Sequence, residues 1–160
     1  MRTALIPGTY DPVTLGHRDI IRRAAQIFDH VVVGVAVSQK KGAGPLFSLE
    51  ERVAFATDAV ADLPNVTIRS FSSLLVDFAV EIGAQAIVKG LRAMTDFEFE
   101  FQQASLNYRL NPEFETMFIM ANPEHMFLSS SAVKEIASMG GNVQSWVTPL
   151  VQQALITRFS

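Results

Sequence analysis

The chain has 160 residues, a formal net charge of −3 and no cysteine, which excludes disulfides, thiol nucleophiles and thiolate zinc sites. The acidic balance and the lack of a basic run leave no electrostatic footprint for nucleic acid. Apolar residues make up 49% and mean hydropathy is +0.23, but the longest apolar runs are strand-length and cannot span a bilayer. The N-terminus has no signal-peptide pattern, and absent cysteines suit a cytoplasmic protein. The length predicts one domain over 1–160 with a sizeable core. Surplus hydrophobicity without a membrane segment predicts surface buried against other subunits.

Taken in order, strand and helix patterns alternate. Thr3 to Pro7 reads as a strand and His17 to Phe28 as a helix. Val31 to Val37 is a β-branched run suited to a central strand buried on both faces. The polar loop Ser38 to Pro45 follows, and Ser48-Leu49-Glu50-Glu51 has capping-box spacing for a helix to about Val60. Val66 to Arg69 is a strand, Leu74 to Ile82 a helix and Ala86 to Lys89 a strand. Thr95-Asp96-Phe97-Glu98 reads as a second capping box, opening a long helix that ends near Asn111-Pro112. Thr116 to Met120 is the last strand; Ser130 to Met139 is a helix closed by Gly140-Gly141, and Thr148-Pro149 caps a final helix. The pattern predicts a doubly wound α/β fold with a mostly parallel five-stranded sheet.

Ligands in such sheets sit beyond the carboxyl ends of the strands. That rule selects the loops Thr9 to His17, Ser38 to Lys41, Lys89 to Arg92 and Ala121 to Ser131. The first is rich in Gly and Pro between a strand and a helix, a geometry that turns backbone N–H groups towards phosphate. Neither the dinucleotide fingerprint nor the Walker A pattern is present. The loops supply His17, Lys41, Lys89, Arg92 and the hydroxyls of Thr9, Ser129, Ser130 and Ser131. That inventory suits phosphoryl-type transfer, which needs positioning and charge stabilisation more than a covalent intermediate. Three serines at a helix start exceed the one that an N-cap needs. No carboxylate pair and no metal cage stand out.

Pro7-Gly8-Thr9-Tyr10-Asp11-Pro12 followed by Thr14-Leu15-Gly16-His17 resembles the T/H-x-G-H element of the nucleotidylyltransferase superfamily. The likeness continues at Val88-Lys89-Gly90-Leu91-Arg92, at Asp96 to Glu100 and at Ser129-Ser130-Ser131. Together these are similar to the superfamily's bacterial branch that adenylylates 4′-phosphopantetheine. The resemblance implies transfer from ATP with magnesium as its counter-ion, dephospho-coenzyme A as product, coenzyme A as a related ligand, and a homohexamer. It implies that His17 stabilises charge on the α-phosphate. It places phosphopantetheine on Thr9, Lys41, Leu75 and Lys89, with Lys40 able to replace Lys41. It places ATP on Thr9, Tyr10, His17, Gly90, Leu91, Arg92, Glu100, His125, Met126, Phe127, Leu128 and Ser129 to Ser131. His125 departs from the family, which usually has an aromatic residue near that point. The alternatives are another nucleotidylyltransferase, acting on nicotinate mononucleotide or using CTP, and a non-catalytic module that binds ATP.

On the helix from Thr95, Phe97, Phe101, Ala104 and Tyr108 form one stripe and Phe99, Leu106 and Leu110 a second, roughly opposite. One stripe is expected on the chain's own sheet and the other at a subunit interface. The alternative is that the final helix covers it within the monomer.

Overall fold

The computed structural model describes residues 1–37 and 44–160, apart from the side chains of Met94 and Thr95. Lys40 and Lys41, with most of the predicted polar loop, lie outside the described residues. The elements run β1 (Thr3–Gly8), α1 (Leu15–Ile27), β2 (His30–Ala36), α2 (Leu49–Ala59), β3 (Val66–Phe71), α3 (Leu75–Glu81), β4 (Ala86–Leu91), α4 (Met94–Leu110), β5 (Glu115–Met120), a 3-10 turn at Pro123–His125, α5 (Ser130–Ser138) and α6 (Pro149–Arg158). The strands lie in the order β3-β2-β1-β4-β5, and every pairing is parallel. The expected doubly wound sheet is therefore present, parallel throughout. Its order reverses between β1 and β4, and the crevice there is where such a sheet binds ligands.

Alternation along the strands sends residues to two cores. Ala4, Ile6, Val31, Val33 and Val35 join one cluster with Ile21 and Ala24 of α1, Phe55 and Ala59 of α2, Val133 of α5 and Val151 and Leu155 of α6. Leu5, Val32 and Ile87 face the other way, onto Val76, Phe78 and Ala79 of α3. The second cover is thin, because the described side chains of α4 include no buried hydrophobic residue.

Most predicted ends hold. Ser48 and Glu51 form the reciprocal capping box of α2, and Thr148 caps α6 ahead of Pro149. Gly140 has φ +80° just past α5, and its N–H and that of Gly141 donate to Ala137 and Ile136 carbonyls. These are the paired bonds of a glycine-terminated helix. The start of α4 differs. The helix begins at Met94 with Ala93 at its N-cap and no side-chain cap, ahead of the predicted cap at Thr95, whose side chain lies outside the described residues. Asp96 is drawn instead to Arg92 at 3.1 Å, one turn back.

The two stripes of α4 also differ from expectation. Phe97, Phe101 and Tyr108 are exposed on one and Phe99, Leu106 and Leu110 on the other, and the first meets the sheet only lightly, through the Phe97 ring 6.3 Å from Phe118 of β5 and the half-buried Ala104. The half-buried positions are Asp96, Glu100, Gln103, Ala104 and Asn107, a largely polar edge between the stripes at about 100° per residue. The final helix does not cover α4. It lies in the first core through Val151 and Leu155, and Arg158 bridges from it to Glu51 of α2 at 3.0 Å.

Candidate active site

A cavity of about 380 Å³ opens at the switch point, walled by β1, the start of α1, the end of β4, α4 and the start of α5. It brings together Tyr10, His17, Lys89, Gly90, Leu91, Arg92, Glu100, His125, Leu128 and Ser129 to Ser131. Thr14, Gly16 and Asp96 line it too, although the sequence did not single them out as site residues.

Thr14 decides what His17 can do. It is the N-cap of α1, and its hydroxyl accepts the His17 backbone N–H while its own N–H donates to His17 Nδ1. The arrangement is a capping box with imidazole in place of the usual Glu or Gln. Because Nδ1 accepts from Thr14 N at 2.9 Å, it carries no proton, and the proton sits on Nε2. The ring is a fixed neutral donor. Burial, then the positive charge of Arg92, push its pKa down to about 4. Gly16 leaves room for this turn, since a Cβ there would come within 3.3 Å of Leu128 and 3.4 Å of Thr14 Oγ1. Thr14→Ala is expected to cost about 1 kcal/mol of stability, the usual loss of an N-cap hydroxyl. A urea midpoint that falls at unchanged m-value checks it.

Tyr10 holds the preceding loop. Its φ of +51° is unusual for a residue with a side chain. Its hydroxyl donates to the Ile6 carbonyl at 3.0 Å, and its ring meets the His17 ring edge-on at 4.9 Å. Buried this way, Tyr10 offers a ligand its backbone rather than its phenol. Asp11, also buried, accepts the N–H groups of Leu46 and Phe47 at 2.9 Å each and pairs with Lys134 of α5 at 2.9 Å. Burial pushes its carboxyl up, but Lys134 and the two amides outweigh that and hold it below the usual range.

Each cation of the β4 end has an α4 carboxylate. Lys89 Nζ lies 2.7 Å from Glu100 Oε2, which is sealed from solvent, and Arg92 pairs with Asp96 while donating to the Leu128 carbonyl at 2.8 Å. Ser129 caps α5 by accepting the Ala132 N–H. Ser130 donates to the Pro12 carbonyl at 2.7 Å, which ties α5 to the first loop. Ser131 stays exposed on the wall. The three serines thus divide between a cap, a tether and a hydroxyl open to a ligand, beside a positive helix end. His125 Nδ1 is buried without a hydrogen bond among the described residues.

Other expected residues are not brought to this cavity. Thr9 is exposed, between Gly8 and Tyr10 of the lining. Leu75 opens α3 and packs against the second core, because α3 lies on the opposite face from α1. Met126 and Phe127 do not line the cavity, and the Phe127 ring lies 6.0 Å from Trp146.

The cytidylyltransferase-like family matches residues 5–136. A phosphopantetheine adenylyltransferase of Moorella thermoacetica is 52% identical over 159 residues, covering 99% of this chain and 98% of the relative. One of Rhodospirillum centenum is 50% identical, covering 99% and 88%. A solved structure from Vibrio parahaemolyticus, provisionally assigned as a nicotinate-nucleotide adenylyltransferase, covers 98% of this chain and 93% of its own, with a TM-score of 0.70 at 18% identity. At that identity the likeness is one of fold.

Proposed function

The chain belongs to the phosphopantetheine adenylyltransferases of the cytidylyltransferase-like family, and from that premise we propose how its residues carry adenylyl transfer from ATP to 4′-phosphopantetheine. The acceptor phosphate attacks the α-phosphorus in line. A new P–O bond forms, the α–β bridge breaks, and dephospho-coenzyme A and pyrophosphate leave. The nucleophile is already an anion, so the protein need only align it and spread the charge that develops.

The observation that carries this reading is the convergence of a fixed imidazole donor, two cations and a helix N-terminus on one cavity. His17 Nε2–H stabilises the α-phosphate. Arg92, Gly90, Leu91 and the α5 start, Ser129 to Ser131, hold the ATP phosphates. Glu100, Leu128 and His125 stand around the nucleotide, and the Tyr10 backbone and Thr9 meet it at the first loop. Thr9, Lys89 and Lys41 take the acceptor. Leu75, half-buried at the start of α3, is the residue proposed to line the pantetheine arm. Magnesium enters with ATP, bound by its phosphates and by water, and screens their charge. No helix among the described residues is long and apolar enough to cross a membrane, and a cytoplasmic setting is part of the proposal. So is a closed homo-oligomer, a hexamer, for which the exposed flanks of α4 are the support.

Pyrophosphate release with ATP tests the reaction, measured with phosphopantetheine, with nicotinate mononucleotide and without acceptor. Release is expected with the first alone; a preference for nicotinate mononucleotide would overturn the acceptor, and ATP binding without release would leave a binding module.

The cations are expected to divide between substrates. Lys89→Ala should weaken phosphopantetheine and Arg92→Ala should weaken ATP, each by about tenfold or more, since charge-assisted phosphate contacts contribute roughly 1.5–3 kcal/mol. Lys89 and Arg92 share one strand end, so the division rests on their pairing with different carboxylates, not on separate loops. Calorimetric titration of each ligand checks it, and equal losses for both ligands in both variants would end it.

A further inference from the structure

Arg52 lies on α2, carries no substrate contact in the reading above, and is 3% exposed. Its Nη1 donates to the Thr9 carbonyl at 2.9 Å and the Ala36 carbonyl at 2.8 Å. Its Nε donates to the Phe47 carbonyl at 3.2 Å. Three of the five guanidinium N–H bonds are therefore spent on backbone oxygens from three separate places in the chain. Thr9 belongs to the first loop, Ala36 ends β2, and Phe47 immediately precedes the cap of α2. Asp11 completes the tie from the other side by accepting the Phe47 N–H, so the peptide groups flanking Phe47 are held by a buried cation and a buried anion. A charge in the core is a costly way to join loops that apolar packing could also join. What it adds is direction, because a planar fork fixes where three carbonyls point.

We infer that Arg52 is a positioning residue that sets the acceptor side of the site by fixing the Thr9 backbone against the end of β2 and the start of α2. The inference rests on the reading that Thr9 meets the acceptor phosphate. The ATP side is held by other means. Thr14 orients His17, Asp96 and the Leu128 carbonyl hold Arg92, and Ser130 is tied to Pro12. Arg52 touches none of these, so its loss falls chiefly on the acceptor phosphate at Thr9, while the nucleotide, which also meets the first loop, keeps these other contacts.

The test uses the full chain with Arg52→Gln and Arg52→Lys. ATP affinity is measured by calorimetry, the KM for phosphopantetheine by pyrophosphate release, and folding by circular dichroism and thermal melting. Arg52→Gln is expected to raise the acceptor KM about tenfold or more and to leave the ATP Kd within about twofold. Arg52→Lys, which keeps the charge but not the fork, should fall between. A purely structural role would lower the melting temperature and weaken both ligands alike, or neither, and either result overturns the inference. So does failure of both variants to fold. A wild-type chain that binds ATP yet releases no pyrophosphate with phosphopantetheine would instead remove the functional reading beneath it.

Discussion

Replacing His17 by Ala is expected to leave the chain folded and to lower the rate of adenylyl transfer by about 10²–10³-fold, the usual effect of removing one preorganised donor from a developing charge. The magnitude follows from how little freedom the ring has. Thr14 N–H occupies Nδ1 at 2.9 Å, Tyr10 closes one side at 4.9 Å, and Nε2–H is the polar group left for a ligand. No reorganisation is then needed as charge builds. The stability cost is modest, because Thr14 keeps its hydroxyl cap and only the reciprocal half of the box is lost. The pH dependence has a definite sign. With the pKa pushed down to about 4, against about 6.5 for a free imidazole, the ring stays neutral in the free enzyme from pH 8 to about pH 5. It therefore adds no inflection near pH 6.5 to kcat/KM. The folded chain binds fewer protons at this site than the unfolded chain does, so its stability contribution falls as pH drops through 6.5 towards 4. Single-turnover rates with circular dichroism and an NMR titration of the His17 ring check these points. Near-normal turnover in a folded His17→Ala chain, or a ring that titrates near 6.5, would remove the assignment.

What the sequence shows plainly is whatever local chemistry decides. The β-branched run at Val31 marks a doubly buried strand, Ser48 with Glu51 marks a helix start, and Gly140-Gly141 marks a helix end. Alternating elements then identify the strand-end loops, and the crevice between β1 and β4 holds most of the expected residues. What long-range contacts decide is not legible. Thr95 has the spacing of a cap, but Asp96 pairs with Arg92 across one turn and the helix starts earlier. Arg52 reads as a solvated charge on a helix, and only the arrival of Thr9, Ala36 and Phe47 makes it a core residue. Thr14 was the residue within reach, since a Thr three residues before His17 has the spacing of a capping box. The stripes of α4 were visible too, but spacing alone does not say which edge turns inward.

That edge bears on assembly. The α4 helix turns Asp96 and Glu100 inward to Arg92 and Lys89, which rotates both apolar stripes to its flanks. Phe99, Leu106 and Leu110 are 59%, 50% and 60% exposed. Phe101 is 59% and Tyr108 54% exposed on the other flank, with Met117 and Met120 of the neighbouring edge strand β5 exposed as well. Isolated exposed apolar residues are ordinary, but a set of them along one helix supports the proposed interface. Two flanks, rather than one, suit a helix that meets more than one neighbour, as a ring or a layered assembly requires. Phe99→Glu with Leu106→Glu is therefore expected to break the proposed hexamer into smaller species by removing the contact on one flank. Each carboxylate would be buried without a partner, at several kcal/mol apiece, while the protomer loses no core packing because both positions already face solvent. Sedimentation equilibrium at micromolar concentration reads the mass directly. A wild-type chain of monomer mass would end the proposed assembly. A hexamer unmoved by the double substitution would put the contact elsewhere, with the opposite flank, Phe101 and Tyr108, as the next pair to change.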